Sequence, residues 1–243
     1  MTRSRICWLS PDSPPDAFPD VELALEEPDG LLAAGGDLQS ERLLSAYERG
    51  IFPWYEEGQP ILWWSPDPRC VLRPEQFHYS RSLKRALRNS DCELRSNTSF
   101  AAVIAACAEP RRGQAGTWIT NDMIAAFSAL HDEGWAHSLE VWHQEQLLGG
   151  IYGIAIGRVF FGESMFSRIA NASKFALAGL TRILAREQFA LLDCQVISPH
   201  LLSLGATRIP RSDFCEILKS EALQRKKFEN WPNAPIKVCE LAE

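Results

Sequence analysis

The chain has 243 residues, 46% of them apolar and 23% charged, with a formal net charge of −6. Those proportions exclude disordered, collagen-like and membrane-spanning classes and leave an ordinary globular protein with room for one large domain or two unequal ones. No stretch approaches the roughly 20 apolar residues of a membrane span, and the opening MTRSRICWLSPDSPPD lacks the apolar run of a secretory signal. The seven cysteines are scattered without a C-x-x-C pair and the five histidines are isolated, so reduced thiols in a cytoplasmic protein are expected and no metal site is foreseen.

In chain order, residues 29–38 (DGLLAAGGDL) end in a glycine pair without the Lys-Ser/Thr of a phosphate loop and read as a turn. A short helix is expected over 40–49, with Leu43, Leu44 and Tyr47 inward and Gly50 as its stop. Phe52, Trp54, Tyr55, Trp63 and Trp64 follow, interleaved with proline. Aromatics this dense are usually core, yet Trp and Tyr are also the faces on which nucleobases stack. Pro66, Pro68 and Pro74 suggest a junction, which divides the chain into a small N-terminal domain, 1–67, and a larger one, 68–243. From 69 to 95 the chain is net positive, and Arg81, Lys84, Arg85 and Arg88 fall on one helical stripe. Such a stripe is either a solvated face or a contact for phosphates.

Helices are predicted over 99–108 and 121–133, separated by a polar loop at 109–116. Residues 136–142 alternate as a strand, turn at 144–146 and return as a strand over 147–156, where Gly149-Gly150 implies a bulge or a close backbone approach. A strand over 159–161 completes a meander, and Gly162-Glu163-Ser164 breaks it. A helix then starts near 172, capped by Asn171 or Ser173, and a strand lies within 189–196. Ser198-Pro199 opens a short helix that Gly205 closes, and the polar tail after 220 wraps the surface. The expected architecture is α+β, a mostly antiparallel sheet packed by helices.

Asp193 and Gln195 are the chemically pointed pair. Two apart on a strand, they emerge on one face with Cα atoms about 7 Å apart, while Cys194 points the other way. An Asp carboxylate that accepts from the Gln NH2 would turn the amide oxygen outward to receive an N–H from a substrate. A solvated strand end would carry the same two residues without purpose. Cys194, among apolar neighbours, reads as a buried structural thiol rather than a nucleophile.

Taken together, GLLAAGGDL, AYERGIFPWY, LWWSPDPR, TWIT, AHSLEVW, LLGGIYG, FFGESMFS, NASK, DCQ and SLGA closely resemble the bacterial leucyl/phenylalanyl-tRNA–protein transferases from about residue 30 to 214. The resemblance implies an acetyltransferase-like (GNAT-like) larger domain and an enzyme without metal or nucleotide cofactor. Its partners would be the acceptor end of leucyl-tRNA or phenylalanyl-tRNA and proteins with N-terminal Arg or Lys, which it marks for degradation, and it would act as a monomer away from membranes. Asp193 and Gln195 match the family's catalytic pair. Trp54, Trp118, Gly162, Glu163, Ser164, Met165 and Phe166 match residues that hold the aminoacyl-adenosine end. Ile151, Phe160, Leu180 and Leu184 fall where the family lines a pocket for the apolar amino acid, and the stripe Arg81, Lys84, Arg85 and Arg88 would face tRNA phosphates. An aminoacyl ester is already activated, so its aminolysis needs placement more than a strong base. The other classes open to such a chain are a small-molecule N-acyltransferase using acetyl-CoA and a non-catalytic RNA or peptide binder. The first should show a pyrophosphate-cradling Gly-rich turn, and none is present in the sequence.

Overall fold

A computed structural model describes residues 6–110, 118–222 and 225–242. Most of the polar loop expected at 109–116 therefore lies outside the described residues. The first sheet has four strands, β1 (Cys7–Leu9), β2 (Leu31–Gly35), β3 (Phe52–Pro53) and β4 (Leu62–Trp64), in the order β1-β2-β4-β3, with helix α1 (Ser40–Glu48) between β2 and β3. The segment at 29–38 is thus largely a strand rather than a turn. Leu31 to Ala34 are all buried, and their pairing with β1 on one side and β4 on the other outweighs the glycine signal that follows.

The remainder of the chain builds an eight-stranded sheet. In chain order its surroundings are β5 (Arg69–Leu72), α2 (Arg81–Arg88), β6 (Glu93–Ser96), α3 (Phe100–Ala108), α4 (Asn121–Asp132), β7 (Ala136–His143), β8 (Gln146–Ile156) and β9 (Val159–Ser167). They continue with α5 (Ala172–Arg186), β10 (Leu191–Gln195), α6 (Pro199–Ser203), β11 (Thr207–Ile209), α7 (Arg211–Glu221) and β12 (Ile236–Lys237). The strand order is β11-β5-β10-β9-β8-β7-β6-β12. Every pair is antiparallel except β9–β10, which is parallel, so the expected mostly antiparallel α+β sheet is the one observed. Strands β5, β6 and β11 and helix α7 are not among the expected elements: the strands are runs of only four, four and three residues, whereas α7 does carry Phe214, Ile217 and Leu218 at helical spacing.

Helices cover both faces of this sheet, which is why β7 is buried over its first six residues despite alternating in composition, and why β8 reads as a nearly unbroken apolar run. One face buries Tyr152, Ile154, Ile156 and Phe161 against α1, α3, α4 and the first sheet. The other buries Leu139, Val141, Ile151 and Phe160 against α2 and α5. Helix α5 carries ten buried positions along its 15 residues, in keeping with its central place. Its cap differs from expectation, since Asn171 adopts φ 69° and makes no side-chain cap bond; Ser167 Oγ instead accepts from the Ser173 N–H at 2.7 Å. The glycine pair in β8 does mark a close approach: a Cβ on Gly149 would lie 2.6 Å from the Ala172 Cβ and 3.1 Å from the Phe166 carbonyl oxygen. Gly149→Ala should therefore destabilise the fold by about 1–3 kcal/mol, as overpacking does, read as a lower urea midpoint with an unchanged m-value.

Candidate active site

Parallel pairing of β9 and β10 runs through Leu191↔Val159 and Leu192↔Phe160 and stops at Asp193↔Phe161. The next two residues on each strand, Gly162-Glu163 and Cys194-Gln195, line a cavity of ≈ 210 Å³. Both strands also bulge there. On β9 the pairing steps from Tyr152↔Ser164 to Gly153↔Gly162, so Glu163 has no cross-strand partner, and on β10 it steps from Asp193↔Val71 to Gln195↔Cys70, which leaves Cys194 without one. A bulge re-aims side chains and ends pairing. Gly162-Glu163-Ser164, expected as a break after the strand, is a bulged part of the strand itself.

Gln195 follows its bulge with φ 59°, a left-handed conformation uncommon outside glycine. Its side chain therefore does not meet the Asp193 carboxylate as strand alternation predicts. The Gln195 Nε2–H donates instead to Glu163 Oε1 at 2.7 Å, and only the Gln195 backbone N–H reaches Asp193, donating to Oδ1 at 2.9 Å. The amide orientation survives with a different partner: its NH2 end is held by a carboxylate, which leaves Oε1 as the acceptor.

Asp193 is occupied elsewhere. Arg69 on β5 donates from Nε to Oδ1 at 2.9 Å and from Nη2 to Oδ2 at 2.7 Å, and both side chains are 0% exposed. The third guanidinium nitrogen donates to the Gly50 carbonyl at 2.9 Å, while the rings of Phe52 and Phe214 lie 4.9 and 4.6 Å from the guanidinium carbon. In the sequence Arg69 stands out only as one of the basic residues of the 69–95 span.

Glu163 is the electrostatic centre. Tyr47 on α1 donates its hydroxyl to the same Oε1 at 2.7 Å. Burial is the main cause of a pKa raised to about 8; the neighbouring Asp193 charge raises it further, and the bonds from Tyr47 and Gln195 with the Arg69 charge hold it down. Burial, then the Glu163 charge, drives the Tyr47 and Tyr152 phenols well above their ordinary value, so both keep their protons. Tyr152 Oη and Ser164 Oγ are buried near this cluster without a hydrogen-bond partner among the described residues.

Cys194 is half-buried as a residue and lines the cavity, while its thiol is buried, as expected, and donates to the Leu192 carbonyl. Its side chain faces Cys70, and the hydrogen bond between the two thiols, together with burial, pushes the Cys194 thiol well above its ordinary pKa. That is the wrong direction for a nucleophile.

Trp54, 41% exposed, and half-buried Trp118 stand on the cavity wall with Phe52 and Pro53. The Trp64 ring lies 5.5 Å from that of Trp54, and its Nε1–H donates to the Trp54 carbonyl at 2.6 Å, which fixes the exposed indole in place. A second, apolar cavity of ≈ 110 Å³ shares Gly162, Glu163 and Cys194 with the first and is walled by Ile151, Ser164, Met165, Leu177, Leu192, Asp193 and Leu201. Phe160, Leu180 and Leu184 are at most 1% exposed and sit in the core rather than on that wall. Leu177, one turn earlier on α5, takes the position instead. Phe166 borders a neighbouring surface cavity with Met165. Arg81, Lys84, Arg85 and Arg88 lie on α2, and none of them lines either cavity of the site; all four are exposed, as a solvent-facing stripe requires. No group of three or more His, Cys, Asp or Glu side chains able to hold a metal occurs among the described residues.

A hydrogen-bonding carboxylate and amide beneath aromatic walls are compatible with the class of the acyltransferases, in which an already activated acyl donor needs positioning. Comparison with known proteins narrows the class. Residues 71–219 match the model of the family described as leucyl/phenylalanyl-tRNA protein transferase, and residues 36–67 match that of its N-terminal domain. A leucyl/phenylalanyl-tRNA–protein transferase of Nitrosospira multiformis is 54% identical over 93% of this chain and 96% of its own, and one from Aromatoleum aromaticum is 59% identical over 86% and 87%. The chain belongs to the leucyl/phenylalanyl-tRNA–protein transferase family. Among solved structures, a GCN5-related N-acetyltransferase-like protein from Streptococcus suis is similar with a TM-score of 0.34 at 9% identity, covering 66% of this chain and 59% of that one. A conserved protein from Staphylococcus epidermidis scores 0.40 at 12% identity, covering 74% and 68%. Likeness at that level is loose, and the fold description rests on the sheet topology itself.

Two outcomes test the site's energetics. Arg69→Ala, which strands a buried carboxylate, should lower stability by about 3–5 kcal/mol in urea unfolding, whereas Arg69→Met combined with Asp193→Leu should recover most of the loss. The folded Glu163 carboxyl keeps its proton up to about pH 8, against 4.5 for the ordinary group. Its protonation therefore stabilises the fold fully below pH 4.5 and ceases to do so as pH rises through about 8. Wild type should accordingly lose stability relative to Glu163→Gln across that window, at about 1.4 kcal/mol per pH unit and so by a few kcal/mol in all, measured by chemical unfolding at several pH values.

Proposed function

We propose that this transferase moves leucine or phenylalanine from its charged tRNA to the N-terminal Arg or Lys of an acceptor protein, forming a peptide bond that marks the protein for degradation. The observation that carries this reading is the paired cavity, with one compartment aromatic-walled and floored by Glu163 and Gln195 and the other apolar and opening from the same wall. In our assignment Trp54 and Trp118 hold the terminal adenosine, whose flat face suits indole stacking. The strand residues Gly162, Ser164, Met165 and Phe166 run beside the ester. The amino acid's side chain enters between Ile151, Met165, Leu177, Leu192 and Leu201. Gln195 Oε1 accepts an N–H from the attacking amine and so orients its lone pair on the ester carbon. Asp193, locked to Arg69, fixes the backbone of Gln195. The stripe Arg81, Lys84, Arg85 and Arg88 meets phosphates near the acceptor end. The seven free cysteines support a cytoplasmic setting, and among the described residues no helix is long and apolar enough to cross a membrane. We take the working unit to be a monomer.

Incubation of the full chain with phenylalanyl-tRNA labelled in its amino acid, and a peptide beginning with Arg, should transfer the label, whereas a peptide beginning with Gly should stay unlabelled. Absence of transfer to the Arg peptide, or acetyl transfer from acetyl-CoA in its place, would sink the reading. Replacing Arg81, Lys84, Arg85 and Arg88 with Ala should weaken leucyl-tRNA and phenylalanyl-tRNA alike and flatten an already shallow salt dependence, since each phosphate contact adds about 0.7–0.9 to the log–log slope. An unchanged slope would remove α2 from the tRNA contact.

A further inference from the structure

Aminolysis of an aminoacyl ester must move one proton. The attacking amine sheds it as nitrogen bonds to the carbonyl carbon, and the ribose oxygen needs it as the C–O bond breaks. The positioning described above leaves that proton without a carrier. Gln195 cannot serve, because an amide is far too weak a base, and Asp193 has both oxygens bound by the Arg69 guanidinium at 2.9 and 2.7 Å. Cys194, with its thiol pKa pushed well up, holds its own proton.

Glu163 differs from all three. Both of its hydrogen bonds, from Tyr47 and from Gln195, arrive at Oε1, and no protein donor reaches Oε2 among the described residues. Its side chain lies on the wall common to the two cavities, next to the Gln195 amide that orients the amine. The charged and titratable groups facing it are Tyr47 from α1, Tyr152 from β8, Asp193 from β10 and Arg69 from β5. The two phenols stay protonated and the Arg69–Asp193 pair is mutually compensated, so Glu163 is the group there that can exchange a proton near neutral pH. Resting on the function proposed above, we infer that Glu163 is the catalytic proton shuttle: ionised Oε2 takes a proton from the amine as the C–N bond forms and delivers it to the ribose oxygen as the C–O bond breaks. The carboxylate is regenerated, and the products are the peptide bond and a free tRNA hydroxyl. A carboxyl of pKa about 8 is matched to an α-ammonium of about 8, so neither transfer is uphill.

The amide oxygen of a Gln at this position could still accept from Tyr47 and Gln195, so Glu163→Gln removes the proton carrier while keeping the hydrogen-bond frame. In single-turnover assays at saturating phenylalanyl-tRNA the variant should lose roughly 10²–10⁴-fold in rate with little change in donor affinity. With a phenylalanyl thioester, whose thiolate leaves without a proton, most of that loss should disappear. A second measurement uses wild type alone. With an acceptor peptide whose terminal amine is replaced by an aminooxy group, neutral throughout the range, the rate should rise about tenfold per pH unit below about pH 8 and then level off. An unchanged rate in Glu163→Gln, an equal loss with ester and thioester, or a flat wild-type profile with the aminooxy acceptor would each overturn the shuttle while leaving the transferase reading intact. A wild-type protein that does not transfer phenylalanine at all would overturn both.

Discussion

A single buried ion pair holds the architecture of the site together. Arg69 and Asp193 lie with no solvent access on adjacent antiparallel strands, and the guanidinium also ties down the end of α1 through Gly50 and fills the gap between Phe52 and Phe214. Two charges taken out of water gain little net stability even when they match well, and a pair of well-packed apolar side chains would often do as well. The pair's use is therefore geometric. It sets where β10 ends, it accepts the backbone N–H of Gln195, and it permits that residue the left-handed conformation that turns its amide toward Glu163.

From that point the site follows from sheet geometry. Two parallel strands part after Phe161 and Asp193, each bulges, and the residues beyond the split become cavity wall. One carboxyl and one amide reach the opening in this way. Burial makes Glu163 a weak acid, and its two hydrogen bonds arrive at one oxygen and leave the other without a protein donor among the described residues. The aromatic wall is supplied by the first sheet, where the Trp54–Trp64 contact allows a large indole to stand in solvent at a fixed angle.

Much of this can be read from the residues. The α+β class, the meander, the close approach at Gly149 and the α5 helix all follow from period and composition, and the motifs single out Asp193, Gln195 and Glu163 as candidates. The errors share a physical cause. Period-2 alternation assumes a regular strand, and the two bulges break that rule at the residues that matter, so alternation joins the Asp193 and Gln195 side chains where the folded chain turns the Gln195 amide to Glu163. Long-range partners are equally hidden: nothing near Arg69 in the sequence announces Asp193 across the sheet, and Tyr47 looks like an ordinary inward residue of a short helix. In the apolar compartment the choice among Leu177, Leu180 and Leu184 depends on the rotation of α5 about its axis, which the spacing of leucines alone leaves open.

Tyr47 belongs to α1, in the layer built from the first part of the chain, yet its hydroxyl ends on a carboxyl rooted in the eight-stranded sheet. The proposed reactive centre is thus composite, and neither layer excised from the other would contain all of it. The same arrangement couples mechanics to acidity: any rocking of the smaller layer that lengthens the phenol contact strips a stabilising donor from the ionised carboxyl and makes it hold its proton more tightly. Seating of a bulky nucleic acid against the tryptophans would be transmitted through the helix as a change in proton affinity at the reacting bond.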